Sequence, residues 1–318
     1  MSRATSAGRV IVLAGGLSHE RDVSLRSGRR VSEALRTGGF DVEERDVDAS
    51  LLTRLQADPP DCVVPLLHGQ DGEDGSLQEI LGLLDVPYVG AAAAACRLAF
   101  DKSVAKSLLA AAGVVTPASV VLPAEVFREL GAATMMDALV QRLGLPLVVK
   151  PNRGGSALGF HVVRDAGELP SAMVGCFSYG PVALVEQYVA GTEVAVGVVD
   201  TGAGPGALPA VEIRPDSGVY DYSARYTAGA TEFIVPAQLP DSAAARCAEV
   251  AVIAHTTLGL RDLSRSDLIV SADGTVWFLE VNVAPGMTET SLVPLAVEES
   301  PGSLAGLLGE LVRHASTR

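Results

Sequence analysis

Residues 145–163 read LPLVVKPNRGGSALGFHVV, and the architecture turns on how they are parsed. The apolar runs 145–150 and 160–163 predict two strands. Between them lies 152–159, NRGGSALG, with three glycines and a serine. Glycine has no Cβ, so backbone N–H groups in such a loop can close around phosphate oxygens. Lys150 stands immediately before the loop, where an ammonium neutralises phosphate charge. A Gly-rich loop alone also suits a flexible turn; one led by a lysine and set between two strands carries more weight. No Gly-Lys-Ser/Thr occurs, so this is not a Walker loop. No GxGxxG follows the first strand of the chain, which disfavours a dinucleotide-dependent dehydrogenase.

Upstream, the runs 10–14, 40–47 and 62–66 read as strands, with helices at 24–36 and 76–84 and a short strand at 87–89. Strands alternating with helices predict a parallel sheet, with ligand-binding loops at the carboxyl ends of its strands. The small residues 90–95 suit a junction or a helix start, and 101–112 a helix closed by Gly113. Downstream, 182–189 and 192–199 predict two strands around Ala190-Gly191, and 201–206 a loop tip. The segment 214–231 is polar and lacks periodicity, which suits a lid. A helix at 242–259, strands at 267–270 and 276–282 joined by an Asp273-Gly274 turn, and closing helices complete the chain.

At 318 residues, 48% hydrophobic and 19% charged, the chain suits a well-buried enzyme of two or three lobes. A net charge of −14 aids solubility and gives no reason to seek nucleic acid or an anionic membrane. The cysteines at 62, 96, 176 and 247 form no CxxC pair and no metal spacing, and read as buried thiols of a reducing cytoplasm. Residues 1–8 are polar and the apolar run 10–14 is too short for a signal or a span, so a cytoplasmic location is expected. Of 24 basic residues, 21 are arginines; lysine stands only at 102, 106 and 150, as a group retained for what arginine does not do.

Four constellations bear chemistry. Along 276–282, Glu280 and Asn282 share one face, and the 273–274 turn brings Asp267 to it. Two carboxylates and an amide oxygen make an all-oxygen site for a hard cation, Mg2+ in particular, shared with substrate phosphates. On spacing alone, an edge strand with solvated acids is the alternative, which the apolar neighbours Val276, Phe278, Leu279 and Val281 weaken. Lys150 with its glycine loop is the second. In 186–193, EQYVAGTE, one of two carboxylates could meet an adenine amino group or a ribose hydroxyl, or both are exposed turn acids. Glu20, after Gly15-Gly16, could hold a substrate ammonium, or simply favour a helix N-terminus. His19 and His68 lack metal spacing and suit hydrogen bonding.

Taken in order, eight motifs resemble the D-alanine–D-alanine ligase family of the ATP-grasp superfamily: GGLSHERDVS (15–24), LHGQDGEDGSLQ (67–78), FDKS (100–103), VVKPNRGGSALG (148–159), VEQYVAGTEVAV (185–196), YDYSARY (220–226), RSDLIV (265–270) and LEVNVAPGMTETSLVP (279–294). The resemblance implies an α/β ATP-grasp fold of three lobes, at 1–95, 96–190 and 191–318, and a homodimer. It implies that Lys102, Lys150, Glu186, Val189 and Glu193 bind ATP, with Arg225 where a lysine usually approaches the γ-phosphate. Asp267, Glu280 and Asn282 would hold two Mg2+ ions, with Mn2+ able to stand in. Glu20 would bind the ammonium of a first D-alanine near His68, and Ser291 and Leu292 would meet a second. Arg265 and the Gly286 N–H would face the reacting carboxyl, and Ser156 and Tyr226 would link to Glu20 and close the lid. The implied reaction makes a dipeptide through an acyl phosphate, for cell-wall precursors. Ala157, Ser264, Ser266 and Val283-Ala284 depart from the family pattern and bear on substrate identity. The alternatives are the same chemistry on other amino acids in specialised metabolism, and a regulatory ATP-binding module without turnover.

Overall fold

Both faces of β1 (Arg9–Leu13) are buried, as a central parallel strand requires. The computed structural model describes residues 8–318; the polar start at 1–7 lies outside them. β2 (Asp41–Arg45) and β3 (Cys62–Pro65) flank β1 in parallel, in the order β2-β1-β3. Val10 and Val12 face helix Arg21–Thr37 and the last helix, Leu304–Ala315; Ile11 and Leu13 face Leu51, Leu55, Leu77 and Leu81. Helix Arg21–Thr37 comes close because it turns small residues inward. A Cβ added at Gly28 would lie 2.5 Å from that of Ala14. The segment at 87–89 makes a single bridge, Tyr88 to Val63, and not a full strand.

The middle sheet is antiparallel, in the order β4-β7-β5-β6: β4 (Ser119–Pro123), β5 (Leu147–Pro151), β6 (His161–Val163) and β7 (Val182–Gln187). Sequence reading passed over β4 and helices Ala124–Leu130 and Ala132–Leu143. The two helices fully bury only Leu139 and Leu143, so their apolar pattern is faint.

The third sheet holds β8 (Thr192–Val199), β9 (Gly206–Ala207), β10 (Val211–Pro215), β11 (Thr231–Ile234), β12 (Leu263–Val270) and β13 (Val276–Asn282). Its order is β11-β10-β8-β12-β13, with β9 on β8. On β8 the period of two is plain: Val194, Val196 and Val198 enter the core under helix Asp241–Thr257, while Glu193 and Ala195 face away. Helices Ala93–Phe100 and Lys102–Ala111 pack into that same core through Ala95, Cys96, Ala99, Ala105 and Leu109. The segment 214–231 is less irregular than its composition suggests: it holds the ends of β10 and β11 and a short helix, Tyr222–Tyr226.

β13 departs from simple alternation. Asp267 pairs with Glu280, but Leu268 pairs with Phe278, so Leu279 is an extra residue in a bulge. Before it Val276 and Phe278 enter the core; after it Val281 and Val283 do. The bulge transfers Glu280 and Asn282 to the opposite face, beside Asp267. Without it the period of two would bury Glu280 on the side of Phe278.

The four cysteines are free and buried, and burial pushes the thiols of Cys62, Cys96 and Cys176 up to about 12 and that of Cys247 to about 11. Among the described residues no helix is long and apolar enough to cross a membrane.

Candidate active site

A cavity of ≈ 340 Å³ opens between the middle and third sheets. Lys150 from β5, Glu186 from β7, Glu193 from β8, Asp267 from β12 and Glu280 from β13 line it, with Val189 at its edge and the glycine loop and Arg225 over it. Glu186 is 2% exposed and sits between two ammonium groups: Lys150 at 2.7 Å, and Lys106 in direct contact. Burial alone would raise the Glu186 carboxyl, but Lys150 and Lys106 outweigh it and hold it below the usual range. Burial works against the Lys150 ammonium too, yet Glu186 and Glu280 hold its proton more firmly than usual. Glu193 is pushed up to about 7, by burial first, with Asp267 and Glu280 adding to it against Arg225.

The metal-type trio stands together because of the bulge. Burial again opposes ionisation of Glu280, but Lys102, Lys150, Arg225 and Arg265 hold its carboxyl at about 2. The Lys102 ammonium is 3.5 Å from Glu280 and donates to the Gly154 carbonyl at 2.6 Å. Asp267 accepts a bidentate pair from Arg265, at 2.7 and 2.8 Å. Asn282 Oδ1 accepts the Ala284 N–H at 2.8 Å and keeps a second lone pair. An all-oxygen donor set with an ionised carboxylate at its centre fits Mg2+. No cluster of three or more His, Cys, Asp or Glu side chains able to hold a metal occurs among the described residues.

A second cavity, of ≈ 390 Å³, adjoins the first, and Lys102, Arg225 and Glu280 line both. Helices, strands and loops from distant parts of the chain form it. Ser24 staples the loop before Glu20: its Oγ accepts the Gly15 N–H at 2.8 Å and donates to the Leu66 carbonyl at 2.7 Å. Ser156 and Ala157 hold φ of 52° and 55°, a left-handed backbone that non-glycine residues seldom adopt. That strain aims the Ser156 hydroxyl at both Glu20 and Tyr226, which it contacts. His68 lies within 2.9 Å of the Ala284 carbonyl through Nδ1. A carbonyl only accepts, so Nδ1 carries the proton and Nε2 is a buried acceptor with no partner among the described residues. Burial depresses the basicity of this ring, against the pull of Glu20. At the far wall a Cβ on Gly286 would lie 2.9 Å from Ser291 Oγ, which itself accepts the Thr288 N–H at 2.9 Å. Leu292 lines the cavity at the start of helix Leu292–Glu298.

The residues assigned site roles from the family resemblance all lie on these two cavities, with Lys102, Arg225 and Glu280 on both. Glu20, His68, Ser156, Tyr226, Arg265, Asn282, Gly286, Ser291 and Leu292 fall on the second, and Lys150, Glu186, Val189, Glu193 and Asp267 on the first. Three groups escaped sequence reading. Lys106 supports Glu186 from behind; it is the third lysine of a chain that has only three. Glu73, in the second cavity, is pushed up to about 8 by burial and by Glu20. Asp101 binds Asn152 at 2.8 Å and Arg153 at 3.1 Å, tying the helix that carries Lys102 to the glycine loop. The departures Ser264, Ser266 and Val283 turn into the core: both serines are fully buried, and Ser264 meets His255 Nδ1 at 2.8 Å.

The family model described as D-ala D-ala ligase C-terminus matches residues 108–313, and that for the D-ala D-ala ligase N-terminus matches 43–91. A D-alanine--D-alanine ligase of Anaeromyxobacter sp. (strain K) is 42% identical over 286 residues, 90% of each chain. One of Bordetella petrii is 39% identical over 315 residues, covering 99% of this chain and 94% of that one. Among solved structures, the VanG D-Ala:D-Ser ligase from Enterococcus faecalis superposes with a TM-score of 0.81 at 29% identity, covering 96% and 99% of the two chains. The D-alanine--D-Alanine Ligase from Bacillus anthracis complexed with ATP gives 0.81 at 27% identity, covering 97% of each.

Proposed function

The chain belongs to the D-alanine–D-alanine ligase family, and we propose that its two cavities hold ATP and two D-alanines along one reaction path. It has the ATP-grasp fold and is an ATP-dependent D-alanine–D-alanine ligase of cell-wall synthesis. The observation that carries the site assignment is the junction of the cavities. Lys102, Arg225 and Glu280 stand where a γ-phosphate from one side would meet a carboxylate from the other.

The base would lie against Glu186 and Val189, the ribose against Glu193, and the phosphates under the glycine loop beside Lys102, Lys150 and Arg225. Asp267, Glu280 and Asn282 would hold Mg2+, two ions with Mn2+ as a substitute; when bound, the metal neutralises phosphate charge and draws electrons from the transferring group. Glu20 would bind the first D-alanine's ammonium, with His68 beside that substrate. An oxygen of its carboxylate attacks the γ-phosphorus, ADP leaves, and an acyl phosphate forms. The second D-alanine, against Ser291 and Leu292, attacks the acyl carbon through its deprotonated amine, and phosphate departs. Arg265 and the Gly286 N–H would steady the oxyanion, with Asp267 fixing the guanidinium plane. Contact among Glu20, Ser156 and Tyr226 would keep water from the acyl phosphate.

The lobes are proposed at 1–95, 96–190 and 191–318, a homodimer as the assembly, and the cytoplasm as the location; family likeness and four buried free thiols support these readings. No role with nucleic acid or membrane is proposed. The specialised-metabolism alternative drew on departures of which Ser264, Ser266 and Val283 turn away from substrate, and the complete residue set argues against a module without turnover. The test is phosphate release from ATP and Mg2+ with D-alanine alone, with mass spectrometry of the product. D-Ala-D-Ala is the expected product; turnover confined to another amino acid would overturn the substrate assignment.

A further inference from the structure

Lys106 is a lysine turned into the protein, 3% exposed, one helical turn beyond Lys102. It does not line the nucleotide cavity, and the partner recorded for its ammonium is Glu186. Each Glu186 oxygen therefore has one ammonium already: Oε1 that of Lys150, Oε2 that of Lys106. A carboxylate gripped through both oxygens cannot rotate, and it keeps one lone pair per oxygen for a ligand. Ionised and acceptor-only, it welcomes an amino group and repels a carbonyl. Position 6 of a purine is where ATP and ITP differ in this way: an amino group in one, an oxo group in the other.

We infer that Lys106 is a positioning residue for base specificity: from behind Glu186 it holds the carboxylate ionised and oriented to accept the adenine amino group, so that the site takes ATP and rejects 6-oxopurine nucleotides. The inference rests on the reading that Glu186 meets the base. Arginine would not serve as well there, because its planar fork is wider than the space one ammonium fills beside a buried carboxylate.

The experiment measures kcat and KM for ATP and for ITP with the full-length chain, Mg2+ and D-alanine. The wild type should prefer ATP by about 100-fold in kcat/KM, the upper scale for leaving one buried polar group unsatisfied. Lys106→Met should raise the ATP KM about tenfold, leave kcat within about threefold, and erase most of the preference, the signature of lost ground-state binding. Lys106→Gln, which keeps a donor without the charge, should fall between the two; it carries the test if Lys106→Met does not fold. Glu186→Gln separates the layers. If it leaves the ATP preference intact, Glu186 does not meet the base and the underlying site reading is wrong. If it collapses the preference while both Lys106 variants retain it, or if those variants weaken ATP and ITP equally, Lys106 has only a structural role and the inference is overturned.

Discussion

The two cavities are built differently. The proposed nucleotide cavity is framed by strands: Lys150, Glu186, Glu193, Asp267 and Glu280 project from β5, β7, β8, β12 and β13, and all but Glu193 stand in ion pairs inside the protein. The proposed amino-acid cavity is assembled from segments far apart in the chain, helix and strand residues as well as loops, and hydroxyl contacts from Glu20 through Ser156 to Tyr226 hold it together. Paired charges on a sheet do not rearrange when ligand arrives. A cavity assembled from segments far apart in the chain exists in full only when its parts are closed on one another. On the proposed reading the first supplies fixed electrostatics, and the second supplies selection and exclusion of water.

The largest effect should come where the two regions meet. Glu280→Gln should lower kcat for phosphate release by about 10³-fold or more, since one residue serves both sides. Near-normal release from a folded variant would separate the cavities functionally and remove the proposed metal role. Next is a pH effect confined to the amino-acid side. Glu73 is held protonated to about 8, above its ordinary 4.5, by burial and Glu20. Between those values the folded chain keeps a proton that the unfolded chain has released, so stability falls as pH rises through that window, by on the order of 5 kcal/mol. Glu73→Gln should flatten the fall in urea midpoints between pH 5 and pH 8.5; an unchanged slope would clear Glu73 of the effect. Smaller still, Tyr226→Phe should raise the D-alanine KM and lower kcat about tenfold together, and leave the ATP KM unchanged. A matching rise in ATP KM would mean that the lid serves both cavities alike. The least effect on activity should come from Ser264→Ala, which leaves buried His255 without its partner. It should lower stability by about 1–2 kcal/mol with substrate preference unchanged, and a shift in preference would reopen the substrate question.

The strand-built cavity was also the more legible one. A period of two placed Glu280 with Asn282, and the Asp273-Gly274 turn brought Asp267 opposite, as the register shows. What could not be read was the bulge at Leu279, because an extra residue is defined only against its partner strand. Sequence alternation paired Glu280 with Asn282 correctly but gave no sign that Phe278 lies on the opposite face. Lys106 was equally hidden: its rarity was visible, and its partner, 80 residues away, was not. In the other cavity, position after the first strand pointed to Glu20, but its convergence with Ser156 and Tyr226 was readable only through motif resemblance, since no local periodicity brings the three together. The core-facing serines at 264 and 266 show the opposite error, in which a departure from pattern beside Arg265 suggested a substrate contact and proved to be packing.

The last helix, Leu304–Ala315, covers the face of the first sheet that Val10 and Val12 present, through Leu308, Leu311, Val312 and Ala315. β1 therefore waits for a helix roughly 300 residues further along the chain before that face, which helix Arg21–Thr37 covers in part, is dry. Closing a loop of roughly 300 residues adds little to its entropic cost over a shorter one, but it makes folding depend on contacts far apart in sequence. Until that helix is made, the part of this face that helix Arg21–Thr37 leaves open is an exposed apolar surface, a natural place for a chaperone to hold and for aggregation to start.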